Sequence, residues 1–191
     1  ETNETVALTL ATGSGYTIGT TAAVTGTITN DDLQASTSTT LTGSQSSLLL
    51  TGSNAINGIG NDLNNVLVGN GANNILDGKG GVDLLTGSGG ADTFLFSTKP
   101  AFGAATADRI IDYAASGGDK IQISRSAFGI ASSVTKATIQ TIAQTSSLTA
   151  VLASANLFVY DQSNGHLYWN QNGTAAGFGT GGIMAVLENK V

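Results

Sequence analysis

The chain has 191 residues, of which 26 are Gly, one is Pro and none is Cys, and its formal net charge is −6. The absence of Cys excludes disulfides and thiolate metal sites. The seven Lys and Arg side chains are too few for a nucleic acid or an anionic membrane to be the main partner. No apolar run approaches the roughly 18 residues of a membrane-spanning helix, so we expect no insertion into a membrane.

Residues 1–32 contain two segments that alternate apolar or β-branched residues with small polar ones, as β-strands do. These segments are 5–10 and 23–29. They resemble the last two strands of a Calx-β sandwich domain, a family that holds calcium with acidic residues at strand ends, and Glu4, Asp31 and Asp32 stand at the matching places. Two strands cannot bury both faces of a sandwich, so we expect 1–32 to be an incomplete domain and assign no calcium site to it.

The next two stretches separate this pair of strands from a regular repeat. Residues 33–44 have the Ser- and Thr-rich composition of a linker. Residues 45–59 resemble a degenerate start of the repeat, because Gly52 and Gly60 are eight residues apart, one short of the period. Terminal repeats of stacked folds are usually atypical, so a capping turn is expected here.

A nine-residue repeat follows, and each of its four copies begins with a glycine: Gly60, Gly69, Gly78 and Gly87. The sixth position always carries a short side chain with an oxygen: Asn65, Asn74, Asp83 and Asp92. The eighth position is always large and apolar: Leu67, Leu76, Leu85 and Phe94. A period of nine fits no helix face and predicts a turn of about six residues followed by a strand of about three, with the eighth position facing inward.

The third and fourth copies match G-G-x-G-x-D-x-U-x at positions one, four, six and eight, with Lys79 and Ser88 in place of Gly at position two. The first two copies depart further, because Leu63 and Ala72 replace Gly at position four and Asn replaces Asp at position six. The segment resembles the RTX, or haemolysin-type, family of calcium-binding repeat proteins. This resemblance implies a short parallel β-roll over residues 45–98 and an all-β fold.

Calcium prefers six to eight oxygen ligands, and backbone carbonyls serve it as well as carboxylates. In the family, turns 18 residues apart stack and hold an ion between them, which would bring 60–65 against 78–83 and 69–74 against 87–92. The resemblance therefore implies few ions, about one to three, each with one strong carboxylate, Asp83 or Asp92. The remaining candidate ligands are the backbone near Gly60, Asp62, Gly69, Gly71, Gly78, Gly80, Gly87 and Gly89, and the amides of Asn65 and Asn74.

A metal-free alternative explains the same residues without calcium. Asn65 and Asn74 would then form side-chain ladders and turn hydrogen bonds in a β-helix that needs no ion. The replacement of Asp by Asn keeps an oxygen but removes a charge, so it should weaken calcium binding.

Residues 99–191 read as a β-rich cap. The run 107–124 resembles the segment that follows RTX repeats in secreted proteins, with Tyr113 in the aromatic place of D-x-I-x-D-F. In that family Asp112 and Asp119 would help to bind a capping calcium, and the alternative is a pair of hairpin-turn aspartates on a solvated edge. Further along, 134–153 reads as a strand plus a short helix or as one amphipathic helix, 158–170 as a hairpin, 171–173 as a turn and 182–187 as a last strand.

The sequence contains no motif of a catalytic site, so we expect no enzyme. Its one histidine, His166, follows a hairpin turn, and neither H-E-x-x-H, G-x-S-x-G nor a phosphate-binding glycine loop is present. Asp83 and Asp92 could pair as glycosidase carboxylates, but the repeat accounts for their spacing and their neighbouring glycines together.

The resemblance implies a calcium-binding, calcium-folded module of a larger secreted bacterial protein, passed outward by a type I secretion exporter. One alternative is an adhesive module that binds a polysaccharide or a cell surface through Tyr160, Tyr168 and Trp169. Because Tyr168 and Trp169 point to opposite faces of one strand, at most one of them is expected in the core. Another alternative is that an enzyme lies upstream and this chain is its export appendage.

Overall fold

A computed structural model describes residues 4–8, 24–28, 31–131, 139–143, 157–171 and 177–190. These residues contain sixteen strands and one three-residue 3-10 turn, Ala115–Gly117, so the expected all-β fold is confirmed. Within this part of the chain no helix is long and apolar enough to cross a membrane. The strands are β1 (Glu4–Leu8), β2 (Val24–Ile28), β3 (Asp32–Ala35), β4 (Thr39–Thr40), β5 (Ser47–Leu50), β6 (Gly58–Ile59), β7 (Val66–Val68), β8 (Ile75–Asp77), β9 (Leu84–Thr86), β10 (Thr93–Phe96), β11 (Asp108–Ile110), β12 (Lys120–Ile123), β13 (Ile139–Ile142), β14 (Phe158–Asp161), β15 (His166–Trp169) and β16 (Gly182–Leu187).

Strands β3 to β12 alternate between two sheets as the chain advances. The small sheet has the order β12-β10-β8-β6-β4, and the large sheet has the order β13-β14-β15-β16-β11-β9-β7-β5-β3. Every pairing among β3 to β12 is parallel, so this stretch winds as a coil with one strand in each sheet per turn. Among the described strands, β1 and β2 pair only with each other, antiparallel, in a separate sheet.

The eighth repeat positions form the centre of the coil. Leu67, Leu76, Leu85 and Phe94 are each 1% exposed or less. Leu67 lies beside Leu85 in the large sheet, and Leu76 lies beside Phe94 in the small sheet. Full burial of one such side chain stabilises the fold by roughly 1.5–3 kcal/mol, so the period of nine is also the period of the hydrophobic core.

The coil starts earlier than expected. Strands β3 and β4 occupy residues 32–40, where a linker was expected at 33–44, and β3 pairs in parallel with β5 along its whole length. Leu33 lies opposite Leu48 in this pairing, and Leu41 is 2% exposed. The linker prediction is wrong because the few apolar residues among the Ser and Thr are those that face inward. Residue 32, assigned to the Calx-β-like piece, is the first residue of β3 and so belongs to the large sheet.

The cap continues both sheets. Strand β11 lies between β9 and β16 in the large sheet, and β12 lies beside β10 in the small sheet. The expected hairpin is present as β14 and β15, with Asp161 opposite His166, and β16 is the expected last strand. Strand β13 gives the segment 134–153 its strand, whereas its expected helix and most of the turn 171–173 lie outside the described residues.

Tyr168 and Trp169 correct one prediction. They do point to opposite faces of β15, yet both are buried, with exposed fractions of 5% and 2%. Trp169 belongs to the main core, where Phe102 and Phe128 flank its ring at 5.3 and 5.2 Å between centroids. Tyr168 belongs to a second apolar cluster, in which Phe178 stacks on it at 5.0 Å. The expectation failed because the hairpin is covered on both faces.

Candidate metal centre

The turns of the coil stack in two columns, one at each edge where the chain passes between the sheets. In the first column the backbone N–H of Asn65 donates to Asp83 Oδ1 at 2.8 Å, and in the second that of Asn74 donates to Asp92 Oδ1 at 2.8 Å. Both pairs are 18 residues apart. The turns 60–65 and 78–83 therefore lie against each other, as do the turns 69–74 and 87–92, which is the pairing of turns that the family resemblance implied.

Each column continues into the cap through one more carboxylate. The N–H of Asp83 donates to Asp108 Oδ1 at 2.9 Å, and the N–H of Asp92 donates to Asp119 Oδ1 at 2.8 Å. We call Asn65, Asp83 and Asp108 the first ladder, and Asn74, Asp92 and Asp119 the second ladder. All six side chains are buried. The ladders expected under the metal-free alternative are therefore present, and they contain aspartates as well as asparagines.

The two ladders contain turns of two kinds. In the turns 60–65 and 69–74, the second residue, Asn61 or Asn70, donates its N–H to the amide oxygen of the sixth residue at 2.8 or 2.9 Å. In the turns 78–83 and 87–92 the second residue is Lys79 or Ser88, and both have a φ of 70°. The N–H of Lys79 donates instead to Asp77 Oδ1 at 3.2 Å, and that of Ser88 to Asp112 Oδ2 at 2.8 Å.

This difference leaves one oxygen of Asp83 without a hydrogen-bond partner. Its Oδ1 accepts the N–H of Asn65, whereas its Oδ2 is buried and accepts no hydrogen bond from any residue that the structure describes. Oδ2 lies against the α-carbon of Gly78, where an added Cβ would overlap it. A buried oxygen of this kind costs free energy unless a proton or a cation meets it.

The electrostatics of the ladders show the same cost. The pKa of Asp83 is raised to about 8, chiefly by burial and to a smaller extent by the nearby carboxylates of Asp108 and Asp77, against the opposing hydrogen bond from Asn65. Burial also raises the pKa of Asp92 and of Asp108 to about 6. A cation beside these carboxylates would favour their ionised forms.

The remaining candidate ligands lie where the stacked turns meet. The carbonyl of Gly78 points at the α-carbon of Gly60, and that of Gly87 points at the α-carbon of Gly69, so that an added Cβ would overlap either oxygen. The structure brings two sets together: Gly60, Asp62 and Asn65 with Gly78, Gly80 and Asp83, and Gly69, Gly71 and Asn74 with Gly87, Gly89 and Asp92.

Asp112 and Asp119 have separate roles in the cap. Asp112 accepts the N–H groups of Gly87 and Ser88 at 2.9 and 2.8 Å. Asp119 uses both oxygens, accepting the N–H of Asp92 and, at 2.8 Å, that of Ala114. Asp119 is 9% exposed, so the alternative of a solvated hairpin turn does not describe it. A shared capping calcium at these two residues stays a prediction.

Asp108 and Asp77 were missed by the sequence analysis. Asp108 follows Asp83 by 25 residues, because the connection from β10 to β11 is longer than a repeat turn, and the period of nine therefore gave no signal. Asp77 occupies the ninth repeat position, is 3% exposed, and lies 3.2 Å from the Lys79 ammonium. In the described ranges no three His, Asp or Glu side chains converge in a metal-binding group, so any ion here would depend on backbone carbonyls.

The aromatic residues proposed for carbohydrate binding lie inside the protein. Tyr160, Tyr168 and Trp169 are all buried, so they form no exposed stacking platform. No protein-family model matches the chain, and no characterised protein matches its sequence.

Proposed function

We propose that this chain is a calcium-binding module of the RTX type, stabilised by calcium and belonging to a larger secreted bacterial protein. The observation that carries the proposal is the buried Oδ2 of Asp83, which has no hydrogen-bond partner in a turn that stacks against another turn rich in backbone carbonyls. An ion at this point would replace a proton on a carboxyl group whose pKa is raised to about 8.

The oxygen-only chemistry of the stacked turns suits calcium. Asp83 would supply the charged ligand, and the carbonyls of Gly60 and Gly78 with the Asn65 amide would supply neutral oxygens. Calcium accepts such mixed and irregular oxygen sets, whereas magnesium demands a near-ideal octahedron and retains its waters. Asp92, with Gly69, Gly87 and Asn74, repeats the arrangement in the second ladder.

The ion would couple binding to folding. The stacked turns do not exist in an unfolded chain, so an ion that binds only the folded coil stabilises it by about 2.7 kcal/mol at one hundred times its dissociation constant. A chain that is unstable at low calcium inside the cell and stable at the higher calcium outside is suited to passage through a type I secretion exporter. The export role rests on the resemblance of the repeats and the cap to the RTX family.

Substitution of Asp83 by Asn tests the proposal sharply. Asn already occupies the same ladder position at Asn65 and Asn74, so Asp83→Asn should keep the ladder and fold in chelator at least as stably as the wild type. It should also lose most of the stabilisation that calcium gives to the wild type. The measurement is the thermal melting temperature, followed by circular dichroism, in chelator, in calcium and in magnesium.

Asp31→Asn is the matched control, because it removes one carboxylate charge from an exposed residue whose side chain lies outside the two ladders and accepts a hydrogen bond from the Ser46 hydroxyl. It should retain the full calcium response. A wild type whose melting temperature is the same in chelator and in calcium would contradict the proposal and leave a metal-free coil held by its ladders.

A further inference from the structure

Lys79 is an unusual residue for its backbone position. Its φ of 70° lies in the left-handed region, which costs an L-residue about 1–2 kcal/mol. The Gly at this position in the repeat pattern would avoid that cost. A lysine at such a position is favoured only if its side chain makes contacts that offset the strain.

The Lys79 side chain makes two such contacts. Its ammonium lies 3.2 Å from Asp77 Oδ2 and 2.9 Å from Ser97 Oγ. Ser97 follows Lys79 by 18 residues, the same separation that stacks the repeat turns. The hydroxyl of Thr98 also donates to the backbone carbonyl of Lys79. The ammonium therefore joins the turn 78–83 to the next layer of the first column.

The charges around the ammonium are mostly negative. The Asp77 side chain is 4% exposed, so its carboxylate is largely removed from water. Asp77 also lies near enough to Asp83 and Asp108 to raise the pKa of both. A buried carboxylate needs a cation or strong donors beside it, and the Lys79 ammonium is the positive charge placed there.

We propose that the junction formed by Asp77, Ser97 and Thr98 is a second cation site of the coil, and that the Lys79 ammonium is the cation that fills it. Because the Lys79 ammonium already neutralises Asp77, no free ion is needed between the turn 78–83 and residues 97–98. Removal of the ammonium opens a site for a small cation among the Asp77 carboxylate, the Ser97 and Thr98 hydroxyls and the Lys79 carbonyl. The inference rests on the proposed function only in its use of calcium as the probe.

Lys79→Met tests this site, since Met keeps much of the side-chain length and the same backbone cost but has no charge. In chelator the variant should melt roughly 5 °C below the wild type, because a buried carboxylate loses its partner. In calcium it should recover and bind one more ion per chain than the wild type, as measured by equilibrium dialysis. Lys120→Met, at an exposed lysine of β12, should change neither quantity.

A double variant isolates the role of Asp77. Lys79→Met combined with Asp77→Asn should melt closer to the wild type in chelator than Lys79→Met does, and it should bind no extra calcium. If Lys79→Met does not fold in chelator, the number of ions it binds in saturating calcium decides: one ion more than the wild type supports the site, and no additional ion overturns it.

Two other outcomes would overturn the proposal. One is a Lys79→Met variant as stable as the wild type in chelator, and the other is a destabilised variant that gains no calcium. Failure of the proposed function is a different result, a wild type that binds no calcium. The difference of one ion between Lys79→Met and the wild type is measured independently of that result.

Discussion

The carboxylate of Asp83 accepts the backbone N–H of Asn65 at 2.8 Å and leaves its other oxygen without a hydrogen bond. Asn65 fills the same position one layer earlier, where its Oδ1 accepts the N–H of Asn61. The two side chains have nearly the same shape and differ in charge. Asn65 therefore satisfies the hydrogen bonds of its own turn, whereas Asp83 leaves one carboxylate oxygen with neither a proton donor nor a cationic side chain beside it among the described residues.

Asp119 and Asp83 should respond differently to the same substitution. Asp119 accepts an N–H at each oxygen, so Asp119→Asn leaves one of these donors facing an amide group and should destabilise the chain by about 1–3 kcal/mol. Asp83→Asn should not destabilise it in chelator. Urea unfolding of both variants in chelator makes the comparison, and equal losses at the two positions would contradict it.

The raised pKa values of the first ladder predict how stability depends on pH in the absence of metal. Asp83 binds its proton up to about pH 8 in the folded chain and only to about 3.8 when unfolded, so the folded chain holds more protons between these values. The contribution of Asp83 to the free energy of unfolding should therefore be fully present at low pH and be lost as the pH rises towards 8. The loss should exceed about 1.4 kcal/mol, the equivalent of one pKa unit.

Urea unfolding in chelator between pH 5.5 and 8.5 measures this slope. Burial lowers the pKa of His166, which acts in the opposite direction near pH 6.5. The Asp83→Asn variant separates these groups, because it should lose the fall in stability towards pH 8 and keep the contributions near pH 6 of His166, Asp92 and Asp108. A wild type whose stability rises across the whole interval would show that Asp83 is ionised in the folded chain.

The core of the coil predicts a contrast between neighbouring residues. Leu76 is fully buried, whereas Ile75 is 38% exposed on the outer face of the same strand. Leu76→Ala should destabilise the chain by about 2–5 kcal/mol through lost burial and a cavity. Ile75→Ala should cost less than about 1 kcal/mol. Denaturant unfolding gives both values, and a larger loss at Ile75 would place the core on the wrong face.

Two glycines of one turn should differ in their tolerance of a methyl group. A Cβ at Gly69 would overlap the Gly87 carbonyl and the Asn74 side chain, while a Cβ at Gly71 would meet nothing within 4 Å. We expect Gly69→Ala to lower the melting temperature by roughly 5 °C or more and Gly71→Ala to leave it nearly unchanged. Comparable losses at both positions would contradict the close stacking of the turns.

Ser88 tests the cost of its left-handed backbone. Its φ is 70°, and its hydroxyl donates to the Gly69 carbonyl at 3.0 Å. Ser88→Ala and Ser88→Gly both remove this hydrogen bond, but only glycine relieves the backbone. Ser88→Gly should therefore be more stable than Ser88→Ala by about 1 kcal/mol in denaturant unfolding. The reverse order would mean that the turn takes another conformation in solution.

The period of nine made part of this structure predictable. It placed Leu67 and Leu85 inside, because a strict repeat carries each position to an equivalent place, whereas the stacking of the Asn65 turn on the Asp83 turn was implied by the resemblance to the RTX family. It gave no sign of Asp108, since the longer connection before β11 breaks the period and only the fold returns that carboxylate to the first ladder. The strand at 32–35 was hidden for another reason: a parallel strand held by few apolar residues has the composition of a linker.

Each ladder passes a hydrogen bond from one turn to the turn eighteen residues later, and Asp108 and Asp119 end the two ladders in the cap. Such a coil has a natural unit of growth. An insertion of eighteen residues would add one turn to each column and leave β11 in the large sheet and β12 in the small sheet. An insertion of nine residues would place β11 beside the small sheet and β12 beside the large sheet. Copy number in this architecture can thus change by pairs of repeats without any redesign of the cap.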